Sequence, residues 1–149
     1  PWLTQYWVRR IKKEVFGNIT PFGGYNGDED QGQMGGISAL MAIGLFSLTG
    51  NVDQNPSYEI TSPIFDRIEI TLDDRYYEKG KFIIQTYHNS AGNCYIRQAR
   101  LNGKPLHDFR FSHADFSKGG LLELWMGPEP AKKWGIFPKK RSPRPVNQR

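Results

Sequence analysis

The sequence predicts a mixed α and β chain in which two helices precede a small antiparallel β-sheet or sandwich. Two observations carry this. Up to about residue 52 the apolar residues recur at helical spacing or fill an unbroken apolar run. From Tyr58 onward they fall in short β-branched and aromatic runs separated by turn residues. A hydrophobic share of 38% with 23% charged residues suits a globular chain of 149 residues, either one domain or a piece of something larger. The second alternative is the expectation, because the chain opens at Pro1 and W-L-T-Q-Y-W already reads as the middle of a helix.

The first helix is predicted over residues 3–16. Leu3, Trp7, Ile11 and Val15 recur every four residues, basic residues fall mostly elsewhere, and Gly17 closes the element. A glycine-rich loop with Pro21 follows, and then a second helix from about Gln31 to Leu48 that is apolar on nearly every side. Such a helix is expected to be enclosed by other elements. The first helix cannot enclose it alone, which predicts further helices upstream of Pro1. Six strand-like runs come next: Y-E-I-T, D-R-I-E-I-T-L, K-F-I-I-Q-T-Y, N-C-Y-I-R-Q-A-R-L, F-R-F and G-L-L-E-L-W-M. Asn102-Gly103 marks a tight hairpin and Lys118-Gly119-Gly120 another turn, while S-H-A-D-F reads as a short capped helical turn. Trp134 is expected to anchor the closing loop. The chain therefore divides into a helical part, 1–52, a β-region, 53–136, and a basic tail, 137–149, expected to be solvated and disordered.

Several function classes fall away. Lys139, Lys140, Arg141, Arg144 and Arg149 account for the whole net charge of +5, so the preceding 138 residues are neutral and no nucleic-acid surface is expected. The lone Cys94 excludes an internal disulfide and a multi-cysteine zinc site, and reads as a small buried side chain. The charge-free run after Asp30 is broken by glycine, glutamine, serine and threonine, which argues against a membrane span. His88, His107 and His113 are too scattered for a metal triad, and no nucleophile elbow or nucleotide-binding glycine pattern is present.

The concentrated chemistry lies in G-D-E-D-Q-G-Q, residues 27–33. In one reading Asp30 caps the second helix and Gln33 completes a capping box, worth on the order of 1 kcal/mol. A calcium loop of the helix-loop-helix type fails, because the positions needing glycine and glutamate hold Gln31 and Ile37. In the remaining reading Asp28 and Asp30 project to one side of an extended loop while Glu29 points away. Two ionised acids at a helix entrance, flanked by glycines that let a substrate approach, can activate a water or share a hard divalent cation.

Five stretches taken together carry a resemblance: Y-N-G-D-E-D-Q-G-Q-M-G (25–35), Y-E-I-T-S-P-I-F-D (58–66), Y-I-R-Q-A-R-L-N-G-K-P (95–105), K-G-G-L-L-E-L (118–124) and M-G-P-E-P-A-K-K-W-G (126–135). In this order they resemble the C-terminal end of glycoside hydrolase family 92, calcium-dependent exo-acting α-mannosidases. The resemblance implies that residues 1–52 are the last helices of an (α/α)6 barrel, carrying the catalytic loop over 25–33. It implies a general-base role for Asp28 and Asp30, with Asp30 favoured because many members hold asparagine at the position of Asp28. It also implies calcium bound through Asp30, a substrate loop including Gly27 and Glu29, and support of that loop by Gln33. An inverting glycosidase needs an acid and a base roughly 6.5 to 9.5 Å apart, and the family's acid lies upstream of this chain. The implied partners are α-mannoside glycans and the rest of the chain's own enzyme, the implied compartment is secreted or periplasmic, and the isolated chain is expected to be inactive. The rival expectation is a non-catalytic carbohydrate-binding or scaffold β-module.

Overall fold

A computed structural model of the chain describes residues 1–16, 20, 31–77 and 80–136. The loop residues Gly27, Asp28, Glu29 and Asp30, the glycine expected to close the first helix (Gly17) and the basic tail lie outside the described residues. Two helices, α1 (Trp2–Glu14) and α2 (Gln33–Ile43), lead into β1 (Leu45–Phe46), β2 (Ser57–Ile60), β3 (Arg67–Leu72), β4 (Gly80–Tyr87) and β5 (Tyr95–Leu101). The short β6 (Lys104–Pro105) and β7 (Arg110–Ser112), the single-turn α3 (His113–Ser117) and β8 (Gly120–Gly127) complete the order.

The strands form two sheets, a three-stranded β1-β2-β7 and a five-stranded β3-β4-β8-β5-β6. Alternation assigns their faces. Phe82, Ile84 and Thr86 of β4 and Leu122, Leu124 and Met126 of β8 point inward, and the residues between them point out. Across the core, Leu45, Ile60 and Phe111 of the small sheet join Phe82, Ile84, Ile96, Ala99, Leu122 and Leu124 of the large one in a single buried cluster. Phe82 and Phe111 stack at 5.4 Å. The outer face of the large sheet carries a ladder in which Tyr87 stacks on Trp125 at 4.8 Å and donates its hydroxyl to Glu123 Oε1 at 2.9 Å.

The expected all-antiparallel sheet is corrected at one pair. β4 and β8 run parallel, joined by a crossover through β5, β6, β7 and α3, and β8 sits between β4 and β5. Periodicity reports which face a side chain takes but says nothing about strand direction. The expected turns form as read. Asn102 (φ 51) and Gly103 (φ 77) make the two-residue hairpin loop, and Asn102 Oδ1 also accepts from Leu121 N at 2.8 Å. Ser112 caps α3 by accepting from Asp115 N at 3.0 Å. Trp134 packs on the core and donates its indole N–H to Leu106 O at 3.2 Å.

Both long helices depart from expectation. The second was expected to reach Leu48, but it stops at Ile43, where Gly44 takes a left-handed φ of 76 and its N–H bonds Leu40 O. A Cβ at Gly44 would lie 2.6 Å from Pro63, so only glycine allows this close approach. The released Leu45 and Phe46 then pair with Ile60 and Glu59 as β1. Nor is α2 enclosed: Ala42 is its one buried residue. In α1 the stripe read as the buried face points elsewhere, with Leu3 51% and Trp7 46% exposed, whereas Gln5 is 1% exposed. Among the described residues no helix is long and apolar enough to cross a membrane.

Candidate active site

Of the residues singled out for chemistry, Gln33 alone is described. It is exposed and is the first residue of α2. Gly32 is the N-cap, at φ 91, preceded by Gln31 at φ 61. Two consecutive left-handed residues thus swing the chain into the helix. A capping box needs Gln33 at the third helical position, so the box expected between Asp30 and Gln33 does not form. Asp28 and Asp30, with Gly27 and Glu29 beside them, lie outside the described residues, immediately before this turn.

The frame on either side of that loop is described in detail. At its start, Phe16 is buried and its carbonyl accepts from Lys12 Nζ at 2.8 Å. At its end, the direction of α2 is set by the connector that follows β2, T-S-P-I-F-D. Thr61 N donates to Gly44 O at 2.8 Å and Ile64 N to Ala42 O at 3.0 Å, holding the C-terminal end of α2. Thr86 N donates to Asp66 O at 2.8 Å and ties the same connector to β4. Ser62, fully buried, donates to Cys94 O at 2.7 Å.

Arg9 joins α1 to this connector. Its Nε donates to Ser62 O at 3.1 Å and Ser62 Oγ at 2.9 Å, and a terminal nitrogen donates to Pro63 O and Asn89 Oδ1. Burial pulls the guanidinium pKa below its ordinary value, against the opposing pull of Cys94 and Asp66, so its carbonyl partners must offset a desolvation cost. One turn earlier, Gln5 Oε1 accepts from Ile96 N at 2.9 Å and fixes α1 on β5. Neither residue was singled out in the sequence, although Gln5 and Arg9 share a helix face and thereby mark a polar stripe. T-S-P-I-F-D was noted for resemblance without a structural task. Its clue is a proline among small polar residues directly after a strand.

Carboxylates are the hard oxygen donors that calcium takes, and the loop holds three of them, but a calcium ion needs six to eight ligands. Among the described residues no group of three histidine, cysteine, aspartate or glutamate side chains is placed to hold a metal. The donor chemistry of Asp28 and Asp30 therefore fits the ion, and the described residues add no cluster to it. The three histidines stay apart, and His113 Nδ1 is engaged with Tyr58 OH at 2.8 Å. Cys94 is buried, and burial raises its thiol pKa.

Residues 1–128 match the family model described as the glycosyl hydrolase family 92 catalytic domain. An uncharacterized secreted glycosidase of Arthroderma benhamiae is 33% identical over 115 residues, covering 75% of this chain and 14% of its own. The solved family GH92 inverting mannosidase of Bacteroides thetaiotaomicron VPI-5482 superposes with a TM-score of 0.79 at 31% identity, over 93% of this chain and 18% of its own. A family GH92 α-mannosidase of Bacteroides thetaiotaomicron shares the fold, with a TM-score of 0.81 at 23% identity over 92% of this chain and 17% of its own. The chain thus spans less than a fifth of the length of these three relatives. With the family's catalytic-domain pattern running from Pro1 through the acidic loop to the end of β8, the chain belongs to glycoside hydrolase family 92.

Proposed function

We propose that this chain is the C-terminal part of a calcium-dependent, inverting exo-α-mannosidase, and that its acidic loop supplies the general base. Residues 1–52 are then the last helices of the catalytic barrel and 53–136 the β-region that holds them. The observation that carries the proposal is the start of α2 at Gln33 with Gly32 as N-cap, two residues beyond Asp30. The capping box does not form, and the loop lies within the stretch matched to the family's catalytic domain. Similarity to an inverting mannosidase at 31% identity supports the stereochemistry.

In this reading Asp30 takes a proton from the water that attacks the anomeric carbon, and Asp28 helps to orient that water. The water adds from the face opposite the departing oxygen, which inverts the centre. An acid outside this chain protonates the leaving oxygen, so the 149 residues alone are inactive. Gly27 leaves room for the sugar, and Glu29 and Gln33 support the loop. Asp30 would be one of the residues that hold calcium, and the bound ion would take hydroxyl oxygens of the terminal mannose as ligands. Secretion or export to a periplasm fits the secreted relative.

The test is Asp30→Ala in the full-length enzyme. A general base predicts a fall in turnover of about 10²- to 10⁴-fold with the circular dichroism unchanged. Turnover retained would remove Asp30 from the base role and leave the β-region as a glycan-binding or scaffold module.

A further inference from the structure

The β-region carries aromatic and polar side chains that its core does not use. Tyr76, in the loop between β3 and β4, is 77% exposed, more than any other aromatic residue among those described. The loop nevertheless holds it in place. Asp73 O accepts from the main-chain N–H of Tyr76 at 3.1 Å and of Tyr77 at 3.0 Å, and Asp73 Oδ2 accepts from a terminal nitrogen of Arg75 at 2.6 Å. That guanidinium lies over the Tyr76 ring, 5.7 Å from its centroid. One face of the ring is therefore backed by a cation that Asp73 anchors, and its exposure leaves the other open. Beside it is a hollow of about 390 Å³ lined by Tyr76, Tyr77, His113, Ser117 and Lys118, a size within the range of small-molecule sites, about 300–1,000 Å³. His113 is fixed there by Tyr58 OH on Nδ1 at 2.8 Å and by Tyr77 packed edge-on at 5.9 Å, so Nε2 is the nitrogen that can serve a ligand. Lys118 offers donors only. Ser117 already donates its hydroxyl proton to Ala114 O at 3.2 Å, so it offers a ligand lone pairs only. A wall with both a donor and an acceptor suits hydroxyl groups, which take both roles, whereas a sulfate has no proton for Ser117 to accept. A pyranose joins such hydroxyls at its rim to an apolar C–H face, which matches the open face of Tyr76.

We propose that Tyr76, Tyr77, His113, Ser117 and Lys118 form a second, non-catalytic glycan site on the β-region, where one pyranose unit stacks on Tyr76 and hydrogen-bonds to Ser117 and Lys118. None of these residues belongs to the acidic loop assigned to catalysis. The site therefore holds a branch or an inner unit of a glycan whose end is cleaved elsewhere. That the glycan is an α-mannoside rests on the reading of the enzyme as an α-mannosidase, while the site itself rests on its side chains.

Affinity electrophoresis of the full-length enzyme tests it, in gels containing soluble α-mannan or, separately, an α-glucan. Mannan should retard the enzyme. Tyr76→Ala should weaken the apparent affinity several-fold and Lys118→Ala less, with the circular dichroism of both unchanged. Turnover of 4-nitrophenyl α-mannoside, too small to occupy two sites at once, should be the same in Tyr76→Ala as in the unsubstituted enzyme. Equal retardation of Tyr76→Ala and the unsubstituted enzyme in both gels overturns the proposal. So does a several-fold loss of 4-nitrophenyl α-mannoside turnover in Tyr76→Ala, which would place the ring in the catalytic site. Tyr76-dependent retardation by the glucan alone keeps the site and refutes the mannoside reading. Retardation needs no turnover, so Asp30→Ala should retain its Tyr76-dependent part, and failure of the base assignment leaves the proposal standing.

Discussion

The β-region and the helical part obey different rules. The β-region closes its own core: Phe82, Ile84, Ile96, Leu122 and Leu124 have no accessible surface, and residues from both sheets meet in one cluster. The helical part holds to that core largely through side chains that reach main-chain groups, Gln5 to Ile96 N and Arg9 to the carbonyls of Ser62 and Pro63, while much of its apolar surface stays open. One region is stabilised by burial, which is non-directional. The other is oriented by hydrogen bonds, which are directional and set the angle at which α1 and α2 leave the sheets. The β-region is thus the closed base from which the two helices are aimed.

Three substitutions probe the contrast. The largest effect is expected at Leu122, on the central strand β8, where Leu122→Ala should cost about 2–5 kcal/mol in urea unfolding followed by tryptophan fluorescence. A cost below 1 kcal/mol would mean that the β-region does not carry the fold. Arg9→Met is next. It leaves the carbonyls of Ser62 and Pro63 without their charged donor, and should cost about 2 kcal/mol while raising hydrogen exchange in α1 more than in β4. Uniform loosening of both would erase the distinction between clamp and core. The smallest effect is expected at Leu3→Ala, within about 0.5 kcal/mol for this chain. In the full-length enzyme a larger loss at the same position would sharpen the comparison, because it would show the open stripe covered there.

Much of the β-region was legible in the sequence because alternation and turn chemistry are local. Asn102-Gly103 specifies a hairpin from its own φ preferences, and Ser112 caps α3 from three residues away. The two-residue β1 and β6 escaped notice because each is too short to show a period. The helix faces misled for a different reason. Leu3, Trp7, Ile11 and Val15 form a genuine apolar stripe, but a stripe indicates that something covers it, and in this chain the β-region is met by Gln5 and Arg9 instead. Of the candidate site, residue types and their order along the chain were legible. The first residue of α2, and with it the failure of the capping box, was not, since two left-handed residues at Gln31 and Gly32 delay the helix.

The sequence by itself determined that two helices precede a run of strands, and where the Asn102-Gly103 and Lys118-Gly119-Gly120 turns fall, because each depends on residues within a few positions of one another. Only the tertiary structure decided that β8 enters the sheet parallel to β4, that Gly44 stops α2 against Pro63, and that the T-S-P-I-F-D connector, buried at Thr61, Ser62 and Pro63, joins the helices to the sheets together with Arg9. These depend on contacts between residues 19 to 54 positions apart, such as Gly44 with Pro63 and Arg9 with Pro63, and no local period encodes which distant backbone a side chain will meet.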